Sequence, residues 1–520
     1  MFTRALQLLA VLGTLLFTFA APAFAASKNV ELVDNLPEAK NATAINFLDY
    51  KREGDVMLVT GRFGLKSYSL RDPGNPVLLD EVTAEDLRLE GDPPVDFSPD
   101  AAPRSTFWQN EDMDIDPKRK LALLSRDPRA YAGSTSREPG EADPNGATNI
   151  AGVYVIDAKD PSNLRLLSFQ QLPTGHTTTC VNDCKSLWTG GPASTTTQRD
   201  TRGWTFGRPI IVTDLSNPRK PRAFPMEPVD LFRRDGVTAY SHDVQVDAAG
   251  IAWVSGDGGT RGYWTDGRHF DPVEGRNRQA TALKPIPYAG GGLPASVTGD
   301  DTGGFEHNAW RPVGRSAPNG DPRYRRGELL LATEEDFGPP EEACRNRGQF
   351  TIASLEGSYD GQAWRSTPQN PFRLEAVGTW NPFEKEGSRP PGGPYDPLAN
   401  FCSAHYFDVD GSTVTYAWYG EGTRFLDISD PENPTQFAYW RPDDGVVWAS
   451  YLHRGYVYTA DRTRGVDVLR LTSGASAARS AGREVAVAAP SAKQRRFVAR
   501  FASRYKPDPG TSFLCVIETG

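Results

Sequence analysis

Short stretches of alternating apolar and polar residues recur along the chain: LKSYSL (65–70), VYVID (153–157), IIVTD (210–214) and TRFLD (423–427). Alternation with a period of two marks a β-strand that lays one face on a core. Each stretch is followed within a few residues by Asp-Pro or Asn-Pro, at Asp72, Asp160, Asn217 and Asp430, and in three of the four a second proline comes three residues later. The Asx side chain and the proline start a turn. The second proline opens the next strand and removes a ladder donor, so that strand is expected at a sheet edge. A truncated copy, GVDVLRL, closes the series at 465–471.

Before these stretches lies a second pattern, a strand ending in a polar turn: EDMDIDPKRKLALLS, HDVQVDAAGIAWVSG and HYFDVDGSTVTYAWY. Aligned on Asp116, Asp247 and Asp410, they place Glu111, His242 and His405 at one position. The same offset takes in His176, His307, Trp448 and a weaker first copy near Ala44. Most of these seven frames lie about 65 residues apart, with a 98-residue interval before His405 and a 43-residue interval after it. Repeated small sheets at this spacing predict an all-β, seven-bladed β-propeller. The Pro/Gly-rich stretch 334–400 elaborates the fifth blade. NVELVDNLPEAK (29–40) reads as an outer strand with no inner strands before it, so it is expected to complete the last blade, closing the ring and removing two edges.

The VYVIDAKDP and TRFLDISDP segments resemble the LVIVD repeat of secreted bacterial β-propeller proteins, over roughly residues 30–471. The resemblance implies a propeller outside the cytoplasm and no single agreed reaction, and fold by itself assigns no function.

The N-terminus adds to that picture. One basic residue, Arg4, precedes an apolar stretch from Leu6 to Ala21 and the small-x-small triplet Ala23-Phe24-Ala25. This is the plan of a secretory signal peptide over residues 1–25; the apolar run is short for a retained anchor. A secreted or periplasmic protein with no transmembrane segment in its mature chain is expected. The propeller then spans 26–471, a small, polar linker 472–494, and a short basic helix and tail 495–520, with Phe497 and Phe501 on one helix face.

Composition narrows the partners. The 50 glycines and 42 prolines among 520 residues suit many turns and short strands. A formal charge of −9, about −10 once Arg4 leaves with the leader, argues against a nucleic-acid partner. Five cysteines in an oxidising compartment suggest two disulfides and one odd thiol. Cys180 and Cys184 can pair only if Val181-Asn182-Asp183 forms a tight turn, Cys344 with Cys402 is a second candidate, and the connectivity stays open.

The chemistry centres on histidine. Four of the six histidines share the frame position with Glu111. The innermost strand of each blade lines a propeller's channel, so Glu111, His176, His242, His307 and His405 would form an axial ring in five consecutive blades. Such groups bind one transition-metal ion, with copper, zinc, iron, manganese and nickel not distinguished by the ligand types. Ligand bonds of about 2.0–2.2 Å bar all five from one ion unless the channel narrows sharply. His242 and His307, with one neighbour, would be the core of a site. Asp243, Glu306, Glu334, Glu335 and Asp336 are candidates to orient the imidazoles. Two other readings stay open. The histidines could bond a neighbouring blade's backbone, or serve a metal-free ligand or general-base role.

Other motifs carry less. The Asp-Pro motif reads as a turn device, and DVDGS (408–412) as a hairpin turn without the calcium-loop spacing. NAT (41–43) is a glycosylation sequon. There is no G-x-S-x-G elbow, H-E-x-x-H, phosphate loop, dinucleotide fingerprint or C-x-x-C-H haem site. The leading reading is an extracytoplasmic binding or scaffold protein that takes a protein or small molecule at a propeller face, using loops such as 256–276. The alternative is a metal-dependent enzyme, an oxidoreductase ahead of a hydrolase in which the ion activates water. At the level of propeller plus histidine cluster it is similar to the selenium-binding protein family that includes methanethiol oxidases, which implies an oxidoreductase.

Overall fold

The computed structural model describes residues 25–50, 54–98, 106–108, 110–131, 150–191, 210–224, 233–234, 237–238, 241–256, 259–292, 305–335, 348–359, 373–382 and 403–473. Outside these residues lie all but the last residue of the expected leader (1–25), Asp336, Cys344, Cys402, and nearly all of the linker with the C-terminal helix and tail. Among the described residues, no helix is long and apolar enough to cross a membrane.

Among the described residues, seven antiparallel sheets of four or five strands follow one another along the chain, beside two two-stranded hairpins. Their innermost strands are Ala42–Tyr50, Met113–Asp116, Thr177–Val181, Ser241–Val246, Phe305–Trp310, Phe407–Asp410 and Val447–His453. The seven frame positions fall at or just before the heads of these strands, and the architecture is the expected seven-bladed propeller.

The blades stack on both faces, which changes the reading of the middle strands. All six residues of Leu121–Arg126 are buried. Leu121 and Leu123 pack toward the third blade, while Ala122 and Leu124 pack toward the first. A strand between two neighbours has no solvent face, so period-two patterning gives way to a continuous apolar run. Each seam has its own apolar cluster, from Leu58 with Leu124 to Val59 with Val468.

The Asp-Pro motifs are turn devices. Asp72, Asp160, Asn217 and Asp430 each accept the N–H two residues on through a side-chain oxygen, at 3.0–3.1 Å. Their carbonyls accept the N–H three residues on.

The N-terminal segment closes the ring. Val30–Leu36 pairs antiparallel with Gly465–Leu471 as the outer strand of the seventh blade. Buried Asp467 ties this latch: it accepts from Asn35 Nδ2 and Trp440 Nε1, both at 2.8 Å, and pairs with Arg464 at 2.9 Å. Across the seam to the first blade, Asp55 pairs with His453 at 2.7 Å and with Arg454.

One edge expectation changes. Ala25–Lys28 adds a fifth strand to the sixth blade by pairing with Thr435–Pro442, so the strand that Pro434 opens is not an edge there. The pairing runs from Tyr439 to Pro442. It therefore begins beyond Pro434, whose missing N–H costs it nothing.

Candidate metal centre

Because every innermost strand runs the same way along the channel, their heads meet at one end of it. There the channel narrows until four imidazoles surround one carboxylate. Glu111 Oε2 lies 2.8 Å from His176 Nε2, 3.0 Å from His242 Nε2 and 3.5 Å from His307 Nε2; Oε1 lies 3.5 Å from His405 Nε2. A second carboxylate, Glu335, approaches His307 at 3.7 Å and His405 at 3.8 Å. All six side chains are buried, none more than 5% exposed. Two overlapping triads have donor atoms within 4.8 Å of one another: Glu111, His242 and His307, and His307, Glu335 and His405.

The outward nitrogens explain how the rings are held. His242 Nδ1 contacts the His307 carbonyl at 3.1 Å, and His405 Nδ1 contacts the Trp448 carbonyl at 2.7 Å. A carbonyl only accepts, so each Nδ1 carries the proton and donates. In the neutral ring that leaves Nε2 as a bare lone pair turned inward. His176 is oriented differently, with Nδ1 2.9 Å from Asp127 Oδ2. The backbone-bonding role and the inward-facing donor role therefore coexist on one imidazole.

The inward atoms are short of partners. Both His307 nitrogens and His405 Nε2 are buried without a hydrogen bond, whereas Glu111 Oε2 has the His176 and His242 nitrogens beside it. His176 Nε2 and His242 Nε2 stand 3.1 Å apart. Two nitrogens bound at about 2.1 Å to one ion stand roughly 3.0–3.4 Å apart, from cis-octahedral to tetrahedral geometry. The donor set of imidazole and carboxylate suits a first-row transition metal.

Charge is balanced within the cluster. Burial disfavours a charged His176, but Glu111 and Asp127 outweigh it and hold its pKa at about 10. Burial pushes the Glu111 carboxyl up, yet the His176 imidazolium and the contacts from His242 and His307 bring it well below the usual range. His307 is held well below its ordinary value by burial and by repulsion from His405 and His242. Burial likewise lowers His242. Burial raises Glu335 to about 7. Burial acts to lower His405 as well, but Glu111 and Glu335 outweigh it and raise its pKa. The cluster thus favours the charged form at His176 and the neutral form at His242 and His307, and the neutral form is the one that ligates metal.

No family model and no curated protein matches the chain. Among solved structures, the β-propeller domain of Cps50 (Swd1) from Myceliophteria thermophila is 8% identical, covering 85% of this chain and 100% of that one, with a TM-score of 0.45. The WD40 repeats of RRP9 are 8% identical over 86% and 100%, with a TM-score of 0.43. A protein from Lactobacillus plantarum is 9% identical over 80% and 88%, with a TM-score of 0.41. The blade count rests on this chain's own strand order.

The acidic residues expected to orient the imidazoles are dispersed. Glu335 stands inside the cluster itself. Glu306 and Glu334 sit opposite each other in the fifth blade, and their repulsion, after burial, raises Glu306 well above its ordinary value. Asp243 accepts from Gln245 Nε2 at 3.0 Å. The carboxylate that orients an imidazole is Asp127, which sequence reading missed. Strand register reveals the signal: Met113 pairs with Leu124 and Ala309 with Ala332, so Asp127 and Glu335 occupy equivalent exits from the second strand. Phe407 with Tyr416 puts Tyr419 at the same place, and its hydroxyl donates to Glu335 Oε1. Extending the seven frames into the second strand would have exposed this outer ring.

The other end of the channel is open. A cavity of about 840 Å³ is lined by residues that follow the strand heads, among them Asp112, Asp114, Trp310, Tyr406, Asp408 and Tyr451. None of the six cluster residues lines it. Cys180 is at its wall, joined to Cys184 by a disulfide with the α-carbons 4.4 Å apart. The tight turn this pair requires is present, with Asn182, Asp183 and Cys184 all at positive φ. The sulfurs lie away from the histidines and are engaged with each other.

Proposed function

We propose that this chain is an exported, LVIVD-type propeller whose activity depends on a transition-metal centre on the channel axis, and that the centre serves an oxidoreductase. The observation that carries the reading is the inward convergence of His176, His242, His307 and His405 on Glu111, with His242 and His405 held by backbone carbonyls in the tautomer that ligates. His242, His307 and Glu111 would hold the ion, with His405, Glu335 and His176 around them. Bound there, it would supply one-electron chemistry in a site shielded from bulk water. Burial to this degree favours redox over hydrolysis, which needs water delivered to the ion. Asp127 keeps the His176 ring in place, and Tyr419 does the same for Glu335.

A second reading, a metal-free binding or scaffold protein, is favoured by the open cavity at the other end of the channel. Metal content separates the two. Protein purified from an export host without nickel affinity should carry about one equivalent of a single transition metal by mass spectrometry. A protein that holds none, even after exposure to zinc, copper, iron, manganese and nickel in turn, overturns the metal reading and leaves the binding one.

A further inference from the structure

The cavity beyond the cluster combines three features. The first is a group of carboxyls that no lysine or arginine pairs with among the described residues. Asp114 Oδ2 accepts the Cys180 N–H at 2.6 Å and Asp408 Oδ2 accepts the Leu452 N–H at 2.9 Å, but neither they nor Asp112 form a salt bridge among the described residues. Lys185, exposed at the rim, is the one lysine or arginine among the lining residues. The second is aromatic surface from Trp310 and Tyr451. The third is Tyr406, which is 4% exposed, lines the cavity and has a hydroxyl with no hydrogen-bond partner.

These features select a ligand. An unpartnered buried hydroxyl is costly, so a group that satisfies it is favoured. Carboxylates beside aromatic rings attract cations that also carry apolar surface, through charge and cation–π contact together. A bare divalent ion would gain the carboxylates but not the rings. We propose that this cavity binds an organic ammonium ion, with Asp114 and Asp408 as counter-charges, Tyr406 as the hydrogen-bonding group at the floor, and Trp310 and Tyr451 against the alkyl groups. The Tyr406 ring packs edge-on to His307 with centroids 4.6 Å apart, so the occupant sits one side chain away from the histidine cluster. The inference stands on the cavity and does not require the metal.

Burial pushes the Asp114 carboxyl up to about 6 and raises Asp408 as well, the His453 imidazole offsetting only part of the effect at Asp408. An arriving ammonium ion supplies the missing charge.

The test is calorimetric titration of the full chain with choline, putrescine, the uncharged carbon isostere of choline, and calcium. A charged probe should bind at least about tenfold more tightly than the isostere. Asp114→Asn combined with Asp408→Asn should weaken that binding by at least about tenfold, because asparagine keeps the acceptor for the backbone N–H but not the charge. Tyr406→Phe should weaken it by a smaller factor. Circular dichroism checks folding, and Asp408→Asn alone serves if the double variant is unstable. Equal binding of the isostere, binding of calcium but neither amine, or no effect of the Asp variants would overturn the proposal. Repeating the titration on His307→Ala protein separates the two sites: amine binding should persist there whatever happens to the metal.

Discussion

At one end of the channel Glu111 stands within 3.5 Å of four imidazoles, while at the other Asp112, Asp114 and Asp408 form no salt bridge among the described residues. The two ends are built from the same strands, three residues apart in the second and sixth blades, where Glu111 precedes Asp114 and His405 precedes Asp408. At the histidine end opposite charges are brought together inside the protein, and buried acids and bases share protons. At the acidic end the same architecture leaves three carboxyls around a cavity, each raised by burial. The lesson is that a shared architecture does not set the chemistry; which side chains meet at each level does. At the strand heads donors converge on Glu111, and three residues further on the acids line a cavity.

The comparison can be broken most severely at the latch both ends depend on. Asp467→Ala strands the Asn35 and Trp440 donors and should cost about 3 kcal/mol in denaturant unfolding, with metal retention and amine binding lost together. Loss of one without the other would mean that the ends do not share one closed scaffold.

Cutting the histidine end alone comes next. His307→Ala should lower metal affinity by on the order of a hundredfold while leaving amine binding within about twofold of the wild type. A smaller cut is Asp127→Asn, which leaves every inward donor in place but loosens His176. It should weaken metal affinity by only about two- to fivefold, since His176 stands beside the residues that hold the ion, whereas Glu306→Gln, which touches no imidazole, should leave it unchanged.

The mildest test concerns pH at the seam between the last and first blades. Burial acts to raise the Asp55 carboxyl, but Arg454 and His453 outweigh it and lower its pKa. A carboxyl lowered on folding contributes stability above its unfolded value, near 3.9, and that contribution disappears as pH falls through the folded value. Between pH 5 and pH 2 the wild type should lose more stability than Asp55→Asn in parallel melts; equal loss would show that the seam pair is idle.

Much of this was legible in the chain. The frames at Glu111, His176, His242, His307 and His405 fall at the strand heads because polar turns and alternation are local signals that survive any packing. The latch at 29–40 could be read from a missing partner at each end. Asp127 and Tyr419 could not be read from the frames as drawn, since their relevance depends on the register of a second strand. The extra strand Ala25–Lys28 was hidden because it pairs with a distant blade and carries no pattern of its own beyond the leader's end.

By itself, then, the sequence determined the blade count, the Asx-Pro turns and which residues share a level of the channel, because each follows from spacing and turn chemistry within a few residues. Only the tertiary structure decided that four Nε2 atoms meet one carboxylate, that backbone carbonyls select the histidine tautomers, and that the acids beyond them face an open cavity. Those outcomes depend on distances between blades, set by how seven apolar seams pack around an axis, and no local pattern encodes a distance across a ring.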